Sequence, residues 1–175
     1  MSFSRYHQSE RIHNLTVLAF GNATQAFELR DALVKLQGEK LFELVEAVVV
    51  TRDAGGKVKL HQPVIQDVAG CATMGSLVGM ILGAIFMVPW AGSAVGTGVG
   101  AIVGALANLG IDDRFMKDLG TTLKPGTSAL ALLGSKAQLD KLGERLGALL
   151  KGSTLLSTSV DTEREAEIRK LLQNQ

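Results

Sequence analysis

The chain has 175 residues, with 18 Lys plus Arg against 17 Asp plus Glu and a formal net charge of +1. It is therefore sized for one domain and lacks the basic excess of a protein that binds nucleic acid through phosphate attraction. One cysteine and three histidines (His7, His13, His61) exclude a disulfide framework and any multi-cysteine zinc or iron–sulfur site.

Residues 1–14 (MSFSRYHQSERIHN) form a polar N-terminal extension without an apolar core or small-residue cleavage site, so no secretory signal is expected there. Residues 15–67 read as the first half of a globular domain. Leu15–Phe20 is a predicted strand, Gly21-Asn22 turns the chain, and Asn22 is placed to cap a helix. Ala26, Leu29, Leu33 and Leu36 give that helix its apolar stripe, ending near Gly38. The β-branched run Val45–Thr51 predicts a second strand, Asp53-Ala54-Gly55-Gly56 a turn, and Lys57–Gln62 a third strand completing a hairpin.

From Val68 to Ile111 there are 44 consecutive residues without Asp, Glu, Lys, Arg or His, and ten of the twenty glycines lie in this run. Pro89 divides it into arms of 21 residues, Val68–Val88 and Trp90–Gly110. At about 1.5 Å per residue each arm reaches roughly 30 Å as a helix, the hydrocarbon thickness of a bilayer. Proline breaks helices, and Trp90 beside it favours a membrane–water interface, so the arms predict an antiparallel hairpin turning at Pro89 and Trp90. Gly75, Gly79 and Gly83 in the first arm, and Gly92, Gly96, Gly100 and Gly104 in the second, recur every four residues. That spacing lines one face of each helix and lets backbones approach closely in lipid. The bulky opposite face, including Leu77, Ile81, Ile85, Val99 and Leu106, is expected to point outward. A hairpin buried in a soluble core competes with this arrangement, against the difficulty of covering 44 uncharged residues with some 130 others. The weaker hydrophobicity of the second arm keeps an interfacial or re-entrant hairpin open beside a full span.

Residues 112–175 form the second half. Asp112 caps a short helix through Leu119 closed by Gly120, with cation binding at Asp112-Asp113 as a less favoured role. Pro125-Gly126 turns into the strand Ser128–Leu133; Gly134-Ser135 caps a helix striped by Leu139, Leu142, Leu146 and Leu149. Ser153–Val160 is the last strand, and Asp161 opens a C-terminal helix carrying Ile168, Leu171 and Leu172. The two flanks repeat one strand–helix–strand unit. The predicted fold is therefore α+β, a ferredoxin-like split βαβ sandwich with helices on one face of the sheet, interrupted by the glycine-rich apolar helical hairpin of residues 68–111.

Three segments carry a family resemblance: Ala47–Lys59 (AVVVTRDAGGKVK), the glycine-rich double arm, and Gly110-Ile111-Asp112-Asp113 leading to Leu123–Leu130. In this order, across Leu15–Leu172, the chain resembles the short bacterial predicted membrane proteins grouped as domain of unknown function 1269. Residues 1–14 depart from that pattern. The resemblance implies a membrane-associated protein and supplies no catalytic residues.

No nucleophile motif, Walker loop or HExxH stretch is present, so no enzyme activity, cofactor or metal is expected. Gly96-Thr97-Gly98-Val99-Gly100 lacks the lysine or acidic partner a phosphate loop needs, and its glycines continue at helical spacing. The expected function is a non-enzymatic membrane-associated protein that homo-oligomerises through its glycine faces, as a scaffold, a membrane-shaping assembly or a pore. The expected partners are the lipid bilayer and further copies of the chain, with no nucleic acid. The expected location is a bacterial inner membrane, with the globular part and both termini cytoplasmic because bases gather at the hairpin mouth. The alternative is a soluble or peripheral ligand-sensing ferredoxin-like module.

Overall fold

A computed structural model describes residues 12–38, 46–61, 77–87 and 97–161. Most of the polar extension, the hairpin turn at Pro89 and Trp90, and the C-terminal helix expected after Asp161 lie outside the described residues. The elements run β1 (Ile12–Phe20), α1 (Gln25–Gly38), β2 (Glu46–Arg52), β3 (Val58–His61), α2 (Leu77–Met87), α3 (Thr97–Asn108), α4 (Asp113–Thr122), β4 (Thr127–Gly134), α5 (Lys136–Leu146) and β5 (Thr154–Asp161). The described fold is thus α+β, with five strands and five helices.

The strands form one sheet in the order β3-β2-β4-β1-β5, and every neighbouring pair is antiparallel. β1 and β2 both run antiparallel to β4, which lies between them; β4 and β5 both run antiparallel to β1. The two strand–helix–strand units, β1-α1-β2 and β4-α5-β5, are therefore interleaved rather than side by side. Register places Val17 opposite Ala131 and Val50 opposite Ala129.

Local signals start and stop the elements as their chemistry dictates. The Asn22 carboxamide accepts hydrogen bonds from the amides of Thr24 (3.1 Å) and Gln25 (2.8 Å), satisfying the first turn of α1. Asp112 caps α4 by accepting from Arg114 N at 2.8 Å, and Ser135 caps α5 through Gln138 N. α3 ends on Gly110, whose φ of +83° suits glycine. There Gly110 N donates to Ala107 O and Ile111 N to Leu106 O, closing the last turn. Ser128, fully buried on β4, donates to Asn22 O at 2.7 Å and accepts from Ala26 N, tying the start of α1 to the middle of the sheet.

Helices cover both faces of this sheet. On one face α1 and α5 pack Ala26, Leu29, Leu33 and Leu142 against Leu18, Phe20, Ala47, Val49, Leu130 and Leu132. The opposite face, lined by Leu15, Val17, Ala19, Val48, Val50, Ala129, Ala131 and Leu133, is covered by α2, α3 and α4. α2 contributes Leu77, Val78, Ile81, Leu82, Ala84 and Ile85, α3 contributes Ala105 and Leu106, and α4 contributes Phe115, Met116 and Leu119, all buried. Burying each large apolar side chain stabilises the fold by roughly 1.5–3 kcal/mol, so this second layer is a major part of the core.

Two expectations are corrected here. The bulky side of the arms turns inward: Leu77, Ile81, Ile85 and Leu106 are buried in the same cluster as the sheet. The bacterial inner-membrane location also fails, because among the described residues no helix is long and apolar enough to cross a membrane. The physical reason is the sheet itself, whose second apolar face needs a cover and receives these segments.

Candidate functional site

The connection from α3 into α4 is pinned to the edge of the sheet. Asp161 N donates to Leu109 O at 2.8 Å, and Asp112 N donates to the Thr158 hydroxyl at 3.3 Å, both at β5. Ala105, Leu106 and Leu109 then face the core, with Ile102 and Val103 partly buried. The rotation of α3 is thereby set, and its outer face carries Gly100, Ala101, Gly104, Ala107 and Asn108, all exposed.

This face is flat. Among the described residues, a Cβ built at Gly100 or Gly104 meets nothing within 4 Å. Gly83 of α2 differs: it is half-buried, and a Cβ there lies 3.8 Å from Leu60 Cδ1 of β3. Gly79 is likewise half-buried on α2. Gly83 therefore sits at the β3 side of the core, while Gly100 and Gly104 face outward. Gly75, Gly92, Gly96, Pro89 and Trp90 lie outside the described residues. Counting glycines alone misses Ala101, Ala107 and Asn108, which complete the outward face. Their signal is legible once small residues of every kind are followed at three- and four-residue spacing from Gly100.

A second feature lies under the other helical layer. A cavity of about 50 Å³ opens between α1, α5 and the sheet, lined by leucines such as Leu18, Leu29, Leu132, Leu139 and Leu142, with Gly143 at the wall and Thr16 as the polar exception. Small-molecule pockets run to about 300–1,000 Å³, and even an apolar cavity that takes benzene is near 150 Å³. By size this space is a packing defect. Gly143 also sits inside α5, where glycine costs roughly 1 kcal/mol relative to alanine, and a Cβ there meets nothing within 4 Å. Gly143→Ala is expected to raise stability by about 0.5–1 kcal/mol in urea unfolding; a loss of stability would show that α5 needs the bare backbone.

Asp112 serves as a helix cap, and among the described residues no group of three His, Cys, Asp or Glu side chains is arranged to hold a metal ion.

No curated protein and no solved structure matches the chain. A family model described as "Protein of unknown function (DUF1269)" matches residues 72–173, more than half of the 175. The matched span runs from the first arm through β5, taking in Gly110–Asp113 and Leu123–Leu130 while leaving Ala47–Lys59 outside. With α2, α3, α4, β4, α5 and β5 all inside that span, the chain belongs to the DUF1269 family of proteins of unknown function.

Proposed function

We propose that this protein is a non-enzymatic module of ferredoxin-like topology that associates with a second copy of itself through the outer face of α3. The topology reading is supported by the interleaving of β1-α1-β2 with β4-α5-β5, β4 lying between β1 and β2. The self-association reading is carried by the open space over Gly100 and Gly104. Each exposed helical glycine costs roughly 1 kcal/mol relative to alanine, and among the described residues nothing offsets that cost at these two positions. A second helix laid across the face offsets it, because the missing side chains allow closer approach and more dispersion contacts. The face is uncharged, so an identical copy meets no like-charge repulsion in a two-fold arrangement.

The test is the mass of the full chain in buffer without detergent. The wild type is expected to exceed the 18.5 kDa of one chain in sedimentation equilibrium, while Gly100→Leu combined with Gly104→Leu returns it to that value. Both leucines project into open space, so the far-UV circular dichroism and unfolding midpoint of the variant are expected to stay at or above the wild-type values. A wild type that is monomeric at every concentration overturns the reading.

A further inference from the structure

Beside α1, at the β3 edge of the sheet, four side chains from three elements come together. The Thr51 hydroxyl of β2 lies 2.9 Å from His61 Nε2 of β3. The His61 ring meets the Phe27 ring of α1 edge-on, with centroids 4.9 Å apart and planes at 76°. The Arg30 guanidinium stacks over the same Phe27 ring at 5.2 Å. Arg30 engages Asp31 through Nε (3.0 Å) and Nη2 (2.8 Å), both to a single carboxylate oxygen. Lys59 stands on the same strand two residues before His61 and opposite Thr51 in register, so it shares their face.

Among the described residues the charges here do not balance: Arg30 from α1 and Lys59 from β3 supply two cations, against the one anion Asp31, and Thr51 from β2 is neutral. His61 feels the excess: burial lowers its pKa from the ordinary 6.5, and the charges of Arg30 and then Lys59 lower it further. The ring is thus a neutral hydrogen-bonding group among cations near neutral pH. Guanidinium, ammonium and imidazole on one small surface is the donor set that recognises a phosphate: Arg offers a planar fork, Lys a point charge, and the histidine gains a proton when an anion arrives. Among the described residues no acceptor meets Arg30 Nη1, so the guanidinium keeps donor capacity beyond Asp31.

We propose that this edge, formed by Arg30, Lys59, His61 and Thr51, is a binding site for the phosphate group of a small soluble molecule. It lies on the α1 layer, away from the outer face of α3, so it stands or falls independently of self-association. Phosphate binding and His61 protonation assist each other at this site, since each supplies charge the other lacks.

The linkage has a definite sign. His61 holds its proton less well in the folded chain than in the unfolded one, so its contribution to stability is complete above pH 6.5 and declines as pH falls through that value. Bound phosphate reduces that decline.

The test is nuclear magnetic resonance of the His61 ring in the full chain across pH, with inorganic phosphate or with sodium chloride at matched ionic strength. Phosphate is expected to raise the His61 titration midpoint in a saturable way, while chloride leaves it nearly still. Arg30→Gln and Lys59→Gln are each expected to raise the midpoint without phosphate, by removing a neighbouring cation, and to weaken phosphate binding about tenfold. Surface substitutions of this kind leave the unfolding midpoint near the wild-type value, which separates lost binding from lost fold. An equal shift in chloride, or phosphate affinity unchanged in both variants, overturns the proposal.

Discussion

Replacing Ile81 or Leu106 with alanine is expected to destabilise the whole domain by about 2–5 kcal/mol in urea unfolding, with the loss seen equally by far-UV circular dichroism and by probes on the sheet. Both side chains are fully buried, Ile81 from α2 and Leu106 from α3, in the cluster that contains Val17, Val50 and Ala131 of the sheet. Each substitution removes about three methylene equivalents and leaves a cavity that closely packed neighbours only partly close. The measurement discriminates between two arrangements of the uncharged arms. Arms that leave the domain for lipid make no contact with the sheet, and their truncation to alanine leaves the unfolding of the globular part unchanged. Arms that form its second layer transmit the full cost of the cavity to global stability. A change below about 0.5 kcal/mol at both positions contradicts the packing described here.

Much of the fold is legible in the sequence because its signals are local. The stripe Ala26, Leu29, Leu33 produces α1, Asp112 and Ser135 cap the helices they precede, and the β-branched run of β2 needs no tertiary information to be extended. What is harder to read is what covers what. Hydropathy reports that residues 68–111 avoid water, and says nothing about whether lipid or protein replaces it. The answer was nevertheless encoded in the strands. A sheet with one covered face alternates apolar and polar residues, yet Val48-Val49-Val50 and Ala129-Leu130-Ala131-Leu132-Leu133 are apolar on both faces. The amphipathic stripes of α1 and α5 satisfy one face only, so the alternate residues Val48, Val50, Ala129, Ala131 and Leu133 demand a second apolar layer. The only sizeable apolar material left is the uncharged block. Bilayer-sized arms are a length argument, and length does not distinguish lipid from a sheet; a central proline marks a turn in either setting.

The candidate surfaces divide in the same manner. Spacing identifies Gly100 and Gly104 as one face, but only the rotation of α3, set by Leu106 and Leu109 beneath and by the Leu109–Asp161 hydrogen bond at its end, shows that this face is exposed. The same spacing marks Gly79 and Gly83, and there the helix turns them toward the body of the protein. The group around His61 has no sequence signature, since Phe27 and Arg30 come from α1 and Thr51 and His61 from two paired strands. It exists only because α1 crosses the face at the β3 edge.

Arg52→Ala is expected to cost about 2–4 kcal/mol, the second large loss, although Arg52 is only partly buried. Its guanidinium donates to Gly56 O at 3.0 Å through Nε and to Leu123 O at 2.8 Å through Nη1, while its own carbonyl accepts from Gly126 N at 2.8 Å. One side chain therefore fastens the turn between β2 and β3 to the loop between α4 and β4, two segments distant in sequence. Gly56 and Gly126, at φ of +84° and +80°, occupy the left-handed region in those two loops, so the backbone geometry that presents the carbonyls is itself constrained. Alanine keeps the strand and the Gly126 contact but leaves the Gly56 and Leu123 carbonyls without their charged donor. Lysine tests whether charge or shape matters: a single ammonium cannot reproduce donors from Nε and Nη1 in one plane, so Arg52→Lys is expected to recover less than half of the loss in urea unfolding. Full recovery by lysine reduces the contribution of Arg52 to simple charge placement, and loss below about 0.5 kcal/mol for alanine shows that water satisfies both carbonyls equally well.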